Sequence, residues 1–159
     1  MATVLVIDDQ DRYAALCRKA IPGHEYLGPA RSWREAEELL RARRRDIDVV
    51  LLDVHFEIPE ADLVGLPVGA DAKTVARVRR RQGLEILARL RRRLPDLPVV
   101  LMTSRNEVAL ERVPERLGAE EYTYFLDDDY VDARSLRVQI ENVLSARRGR
   151  ESEGPVFWG

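Results

Sequence analysis

Three short stretches of the chain are continuously apolar and rich in β-branched residues: residues 4–7, 49–52 and 99–102. Continuous apolar runs are typical of strands that are covered on both faces, as in parallel sheets, whereas a strand with one face in solvent alternates. A buried helix segment can share this pattern, but these runs are short for a helix. Two weaker strands are predicted at residues 25–29 and 122–126. The apolar pattern therefore predicts five strands.

Helical periodicity fills the intervals between these strands. Trp33, Ala36, Leu39 and Leu40 fall on one helical face, and Ser32 is a candidate N-cap for that helix. Three further amphipathic helices are predicted, near residues 11–21, 84–94 and 133–147. Strands that alternate with helices in this way predict an α/β fold with a parallel sheet.

One segment interrupts the alternation. After residue 55 the chain carries scattered apolar residues among the turn-forming residues Pro59, Gly65, Pro67 and Gly69. This composition predicts a long loop to about residue 76 that leads into a helix, and loops above about 12–15 residues are often functional. We interpret residues 55–82 as an insertion in a single domain of residues 1–147. Residues 148–159 are interpreted as a linker or the start of a following region.

Charge and composition narrow the classes of protein. The chain has 159 residues, of which 26 are Lys or Arg and 28 are Asp or Glu, so its formal net charge is −2. This balance argues against a nucleic-acid-binding protein. The single cysteine, Cys17, fits a reducing compartment, and the apolar runs are far shorter than the ~18 residues that suggest a membrane span. We therefore expect a soluble cytoplasmic protein that contacts neither membrane nor nucleic acid directly.

Polar side chains follow the three strongest strands at the point where each strand ends. Asp8 and Asp9 follow the first, Asp53 the second and Thr103 the third. The carboxyl ends of parallel strands meet at one edge of the sheet, where such folds bind ligands. Each residue alone is more often a helix cap, but converging carboxylates repel and require a proton or a cation. Oxygen ligands without a His or Cys cluster favour Mg²⁺, beside which a carboxylate can attack a phosphoryl group.

Five motifs, in this order, resemble the receiver domain of bacterial two-component response regulators. They are Val4-Leu-Val-Ile-Asp-Asp9, Asp48-Val-Val-Leu-Leu-Asp53, Gly83-Leu-Glu-Ile-Leu87, Leu97-Pro-Val-Val-Leu-Met-Thr-Ser104 and Gly118-Ala-Glu-Glu-Tyr122. Together they cover the chain up to about residue 146. The resemblance implies a flavodoxin-like fold, in which a five-stranded parallel sheet in the order 2-1-3-4-5 carries helices on both faces.

The resemblance also implies a role for each motif residue. Asp53 is the implied phosphoacceptor, Thr103 binds the phosphoryl group and Tyr122 is the switch residue. The implied Mg²⁺ ligands are Asp8, Asp9, Asp53 and the backbone carbonyl of His55. The chain would be a signalling switch and not an enzyme. A sensor histidine kinase or phosphotransfer protein would phosphorylate it, and an output domain or protein would respond. Pairing into a homodimer is left open.

Two features depart from the family. The family has a Lys near the end of the fifth strand, where counting from Gly118 places Phe125, and Leu126 stands where Pro is usual. The loop after Asp53 is also much longer than in the family. A charge-assisted hydrogen bond of the kind that Lys makes is worth about 1.5–3 kcal/mol. Lys73 and Arg105 are candidates to supply the missing cation.

Two other functions are considered. The first is an atypical receiver that binds partner proteins without productive phosphorylation, because Phe125 replaces the Lys. The second is a phosphatase of the haloacid dehalogenase type, in which an aspartate nucleophile also follows a strand. That family has Asp-x-Asp at the nucleophile, whereas this chain has Asp53-Val-His55. The missing second aspartate argues against the phosphatase.

Overall fold

The computed structural model describes residues 1–103, 122–127 and 131–153. The strands are β1 (Thr3–Ile7), β2 (Glu25–Ala30), β3 (Val49–Asp53), β4 (Val99–Thr103) and β5 (Thr123–Asp127). The helices are α1 (Arg12–Ala20), α2 (Trp33–Arg43), α3 (Ala72–Arg80), α4 (Gln82–Arg93) and α5 (Ala133–Glu153), with a short 3-10 helix at Glu60–Asp62.

The five strands form one parallel sheet in the order β2-β1-β3-β4-β5. The predicted α/β class and the strand order 2-1-3-4-5 are confirmed. Each predicted strand is present, with ends that differ by a residue or so. The central strands β1 and β3 are buried along their whole length, which is why their sequences are continuously apolar.

A hydrophobic core lies on each face of the sheet. Leu5 and Ile7 of β1 point into the core that α2, α3 and α4 cover, while Val4 and Val6 point into the core that α1 and α5 cover. This alternation follows from the two-residue period of a strand. Helices on both faces leave the carboxyl edge of the sheet as the open end, where the loops after β1 and β3 meet.

Helix α2 begins as the sequence predicts. The side chain of Ser32 accepts a hydrogen bond from the backbone N–H of Glu35 at 3.3 Å. The Glu35 carboxylate in turn accepts from the N–H of Arg31 at 2.9 Å. These bonds satisfy donors that the first turn of a helix leaves free, and they fix the chain at the carboxyl end of β2.

Residues 55–71 of the insertion form the predicted long loop, with one short 3-10 helix, and this loop packs against the core. Helix α3 starts at Ala72, where the sequence predicts loop, after the side chain of Asp71 caps it by accepting from Thr74 N at 2.8 Å. The side chains that anchor the insertion in the core are Phe56, Ile58, Leu63 and Val75. The backbone also ties its two ends together, because Phe56 N donates to Arg79 O at 3.0 Å.

Helix α5 is longer than the sequence predicts. It continues past residue 147 and through Gly149 to Glu153. The Arg147 guanidinium donates to the backbone carbonyl of Asp48 at 2.8 Å, so this part of the helix is fixed to the amino edge of the sheet. Within the described ranges, none of the helices combines the length and apolar character that crossing a bilayer requires.

Candidate functional site

The strand register brings the predicted acidic residues together. β1 and β3 pair with Ile7 opposite Leu52, so the residues that follow, Asp8 and Asp53, lie side by side at the carboxyl edge. Carboxylate oxygens of Asp8, Asp9 and Asp53 all lie within 4.8 Å of one another. We call these three residues the acidic cluster. Its position follows from adjacent parallel strands that both end in aspartate.

The cluster is largely removed from water. Asp8 is fully buried, Asp53 is 6% exposed and Asp9 is half-buried. Burial, and next the negative charge of Asp53, raise the pKa of Asp8 from 3.8 to about 8. Both causes act in the same direction, because each disfavours a second negative charge in the cluster.

Backbone groups hold one oxygen of each carboxylate. Gln10 N donates to Asp8 Oδ1 at 3.1 Å, Val54 N to Asp53 Oδ1 at 2.9 Å, and Glu57 N to Asp9 Oδ2 at 3.0 Å. The third of these bonds ties the first residues of the insertion directly to the cluster. The loops therefore orient all three side chains and prevent them from turning away from one another.

One atom of the cluster suits a metal ion in particular. Asp8 Oδ2 is buried and has no hydrogen-bond partner within the part of the chain that the structure describes. A buried carboxylate oxygen without a partner is costly unless a cation or proton satisfies it. Three hard oxygen donors at one point fit Mg²⁺, which binds proteins through few carboxylates and retains waters. When bound, Mg²⁺ would neutralise charge on the cluster and on an incoming phosphate.

A cleft of about 210 Å³ opens beside the cluster. It is lined by Asp9, Gln10, Arg12, Asp53, His55 and Glu57. Its position places the predicted carbonyl ligand, His55, at the same edge as the three aspartates. The imidazole of His55 is 2.5 Å from the carboxylate of Glu57, so the side chain is engaged within the insertion.

Arginine side chains at this edge were missed by the sequence interpretation. Arg12 Nη2 lies 3.7 Å from Asp53 Oδ2, and its guanidinium stacks over the ring of Tyr13 at 4.3 Å. Arg31 donates to Asp9 O at 2.6 Å and to Asp11 Oδ1 at 2.9 Å. The signal available in the sequence is the position of Arg12 shortly after Asp8 and Asp9, at the start of a helix above the strand ends.

The remaining predicted site residues are placed as follows. Thr103 ends β4 at the carboxyl edge, one residue beyond the partner of Asp53, and only its backbone is described. Tyr122 directly precedes β5, at the opposite edge of the sheet, and its carbonyl accepts from Arg91 Nη2 at 2.7 Å. Lys73 is exposed in the first turn of α3. Arg105 lies outside the described residues.

The pairing of β5 with β4 shows which residue of this chain stands at the end of β5, where the family has its Lys. Phe125 pairs with Leu101 in the middle of the strand, whereas Asp127 pairs with Thr103 at the carboxyl edge. Counting from Gly118 placed Phe125 near the end of the strand, but the pairing shows that Phe125 lies in its middle. Neither position is basic, so β5 supplies no cation to the acidic cluster.

Asp8→Asn should stabilise the metal-free protein by about 2 kcal/mol or more near neutral pH. The pKa of Asp8 is raised in the folded state, from 3.8 to about 8, so its charge lowers the stability of the metal-free protein as the pH rises between these values. The variant loses this pH dependence. Urea unfolding in a chelator, measured across this pH range, tests the expectation.

Asp11→Asn is the matched control. Asp11 lies in the same loop, but its side chain is 70% exposed and its surface ion pair with Arg31 contributes little. Equal stability changes in the two variants would contradict the conclusion that the buried charge of Asp8 destabilises the metal-free protein. Saturating Mg²⁺ should raise the stability of the wild-type protein more than that of Asp8→Asn, because only the wild type keeps all three carboxylates.

Several solved protein structures share the architecture of this chain. No protein-family model and no curated relative matches the chain. A crystal structure of NtrX from Brucella abortus matches with a TM-score of 0.70 at 22% identity, over 98% of this chain and 30% of that one. The receiver domain of the same protein matches with a TM-score of 0.62 at 23% identity, over 89% of this chain and 98% of that one.

A chemotaxis protein of Vibrio cholerae, CheY4, matches with a TM-score of 0.64 at 21% identity, over 91% of this chain and 99% of that one. This chain therefore spans less than a third of the NtrX chain but nearly the whole of the separate receiver structures. The shared features are the parallel sheet and its strand order. By its architecture, the chain has the fold of a response regulator receiver domain.

Proposed function

We propose that the chain is a phosphorylation switch of two-component signalling, which accepts a phosphoryl group on Asp53 with Mg²⁺ held by the acidic cluster. The observation that carries the proposal is the convergence of three carboxylates within 4.8 Å at the carboxyl edge. The cleft beside Asp53 gives a phosphoryl donor access to the carboxylate. A sensor histidine kinase or a phosphotransfer protein is the proposed donor, and an output domain or protein is the proposed recipient of the signal.

The proposed reaction is a direct phosphoryl transfer. A carboxylate oxygen of Asp53 attacks the phosphorus of an acyl phosphate or a phosphohistidine. The new oxygen–phosphorus bond forms while the bond to the donor breaks, and the bonding electron pair leaves with the donor atom. The Val54 N–H donates to Asp53 Oδ1 at 2.9 Å, and Oδ2, which lies 3.7 Å from Arg12 Nη2, is the proposed attacking atom. Positioning of this kind is a main contribution of the protein to phosphoryl transfer.

A second candidate function is a protein-binding module that works without phosphorylation. The observation in its favour is β5, which carries neither Lys nor Arg and pairs Asp127 with Thr103. Without a cation from this strand, the link between phosphorylation and conformational change is weakened. Under this alternative, the acidic cluster still binds Mg²⁺, and partners dock whether or not Asp53 is modified.

Intact-mass spectrometry distinguishes these functions. The protein is incubated with Mg²⁺ and acetyl phosphate, and we expect the mass of one phosphoryl group to be added to the wild type. The addition should be absent from Asp53→Asn and retained in Asp11→Asn. Omission of Mg²⁺ should slow the labelling strongly, because the carboxylates repel an incoming dianion.

Other outcomes favour other functions. Mg²⁺ binding without any adduct, including with beryllium fluoride, would favour the protein-binding module and contradict phosphoryl acceptance. Sustained hydrolysis of a phosphate ester that depends on Asp53 would favour a phosphatase and contradict both signalling functions. Phosphorylation of Asp53→Asn at the wild-type rate would show that another residue is the acceptor.

A further inference from the structure

The charges at the proposed phosphoryl site do not balance without an additional cation. Three carboxylates outnumber the two positive charges of Mg²⁺, and the phosphoryl donor brings further negative charge. In a site where Asp8 is fully buried and Asp53 is nearly so, water screens this repulsion poorly. β5 contributes no basic side chain. A phosphoryl-accepting site of this composition therefore needs positive charge from another element.

We propose that Arg12 supplies this charge and binds the phosphoryl group, so that the first turn of α1 provides the cation that β5 lacks. The inference rests on the proposed phosphoryl acceptance by Asp53 and extends it to a residue that the sequence interpretation did not select. Arg12 Nη2 already lies 3.7 Å from Asp53 Oδ2, on the side where the phosphorus would be bonded. The residue is also part of the wall of the cleft.

The environment of Arg12 suits this role. Its side chain is 49% exposed, so the guanidinium is reachable from the cleft while it stays close to Asp53. Stacking on the Tyr13 ring at 4.3 Å limits the directions in which the guanidinium can point. Tyr13 is itself buried and forms part of the core beneath α1. The planar guanidinium can donate two parallel hydrogen bonds to a phosphate in a fixed fork, whereas a lysine ammonium acts as a compact point charge.

Among the residues that the structure describes, Arg31 is another arginine at this edge, and its contacts give it a different role. It bridges the carbonyl of Asp9 and the carboxylate of Asp11, at 2.6 and 2.9 Å. The bond to the Asp9 carbonyl holds the loop between β1 and α1 and so positions Asp9, whereas the exposed pair with Asp11 contributes little. Arg31 is therefore a positioning residue, whereas Arg12 faces the reacting carboxylate.

The test compares labelling of Arg12→Gln, Arg12→Lys and the wild type by acetyl phosphate with saturating Mg²⁺. We expect Arg12→Gln to be labelled about ten- to a hundredfold more slowly, as the loss of a charge-assisted hydrogen bond predicts. Arg12→Lys should recover part of the rate. The matched control is Arg45→Gln, which removes the same charge from an exposed site between α2 and β3, at the opposite edge of the sheet.

Measurement of Mg²⁺ affinity distinguishes a role of Arg12 in phosphoryl binding from a purely structural role. Removal of a cation next to Asp53 should leave Mg²⁺ binding unchanged or stronger, whereas damage to the cluster should weaken it. Labelling of Arg12→Gln at the wild-type rate overturns the inference, and so does a slow rate that comes with weakened Mg²⁺ binding. Equal slowing in Arg45→Gln would also overturn it, because the effect would then be one of net charge.

Binding of beryllium fluoride separates this inference from the proposed function. A wild type that is labelled confirms the proposed function, and the Arg12 variants then test the inference alone. A wild type that is not labelled by acetyl phosphate but binds beryllium fluoride in an Arg12-dependent way overturns direct transfer from acetyl phosphate and supports Arg12 as the anion-binding residue. A wild type that does neither overturns both.

Discussion

Gly83→Ala is expected to lower the free energy of unfolding by about 3 kcal/mol or more. Gly83 lies in the first turn of α4, against the end of β3. A Cβ atom there would lie 2.0 Å from the backbone oxygen of Asp53 and 2.6 Å from Val54 Cα. Both are backbone atoms of the strand that carries the proposed phosphoacceptor, so neither can move away cheaply. The hydrogen bond from Gly83 N to Val54 O, at 2.8 Å, would be strained as well.

The expected loss is measured by urea unfolding, with Gly23→Ala as the control. Gly23 has a positive φ of 109°, but a Cβ there meets nothing within 4 Å. The control should therefore cost only the backbone strain of about 1–2 kcal/mol. If Gly83→Ala were as stable as Gly23→Ala, the close approach of α4 to β3 would be contradicted. Where Gly83→Ala remains folded, it should also bind Mg²⁺ more weakly, because Asp53 is displaced.

Phe56→Ala is expected to cost about 3–5 kcal/mol of stability. Phe56 belongs to the insertion and is fully buried in the core beneath α2, α3 and α4. Truncation of its ring leaves a cavity in a close-packed interior, and the neighbouring backbone is held by the bond from Phe56 N to Arg79 O. Urea unfolding of the variant and the wild type gives the difference.

Val68→Ala is the matched control within the same insertion. Val68 is completely exposed, at 106% of its reference area, so its truncation should change stability by less than about 0.5 kcal/mol. Similar effects of the two substitutions would contradict the finding that the insertion is part of the core. Limited proteolysis adds a second readout, since loss of Phe56 should make the chain after Asp53 easier to cleave.

The insertion was the least predictable part of the fold, and its sequence shows why. Helix α3 buries only Val75 and carries Arg77, Arg79 and Arg80 in its last turn, so its apolar face is narrow. The start of α3 could have been predicted from Asp71, a residue type that favours the N-cap position and whose side chain here accepts from Thr74 N. Helix α5 was predicted too short because Gly149 lowers helix propensity, a local penalty that did not end the helix.

The acidic cluster was predictable because the sheet alone brings two of its three members together. Asp8 and Asp53 each stand at the end of a buried strand, and adjacent parallel strands bring their carboxyl ends together. Arg12 was not predictable in the same way. Its distance from Asp53 depends on where α1 begins and how that helix leans over the strand ends, and the sequence pattern specifies neither. The roles predicted for Thr103 and Tyr122 stay predictions, and Tyr122 lies at the opposite edge of the sheet from the acidic cluster.

The insertion is linked to the acidic cluster through the backbone. Glu57 N donates to Asp9 Oδ2, and the next residue, Ile58, accepts through its carbonyl from Arg79 Nε at 3.0 Å. A change at Asp9 therefore has a short path to α3 through directly bonded groups.

The central claim is that Asp8, Asp9 and Asp53 form one divalent-cation site. Anomalous diffraction from crystals soaked in Mn²⁺, a substitute for Mg²⁺ with similar oxygen ligands, tests it most directly. We predict a peak at the carboxyl edge of the sheet, with carboxylate oxygens of the cluster at about 2 Å from the ion. The peak should be absent from Asp8→Asn crystals that are soaked in the same way. A map with no peak at the cluster, or with peaks only elsewhere, would contradict the account.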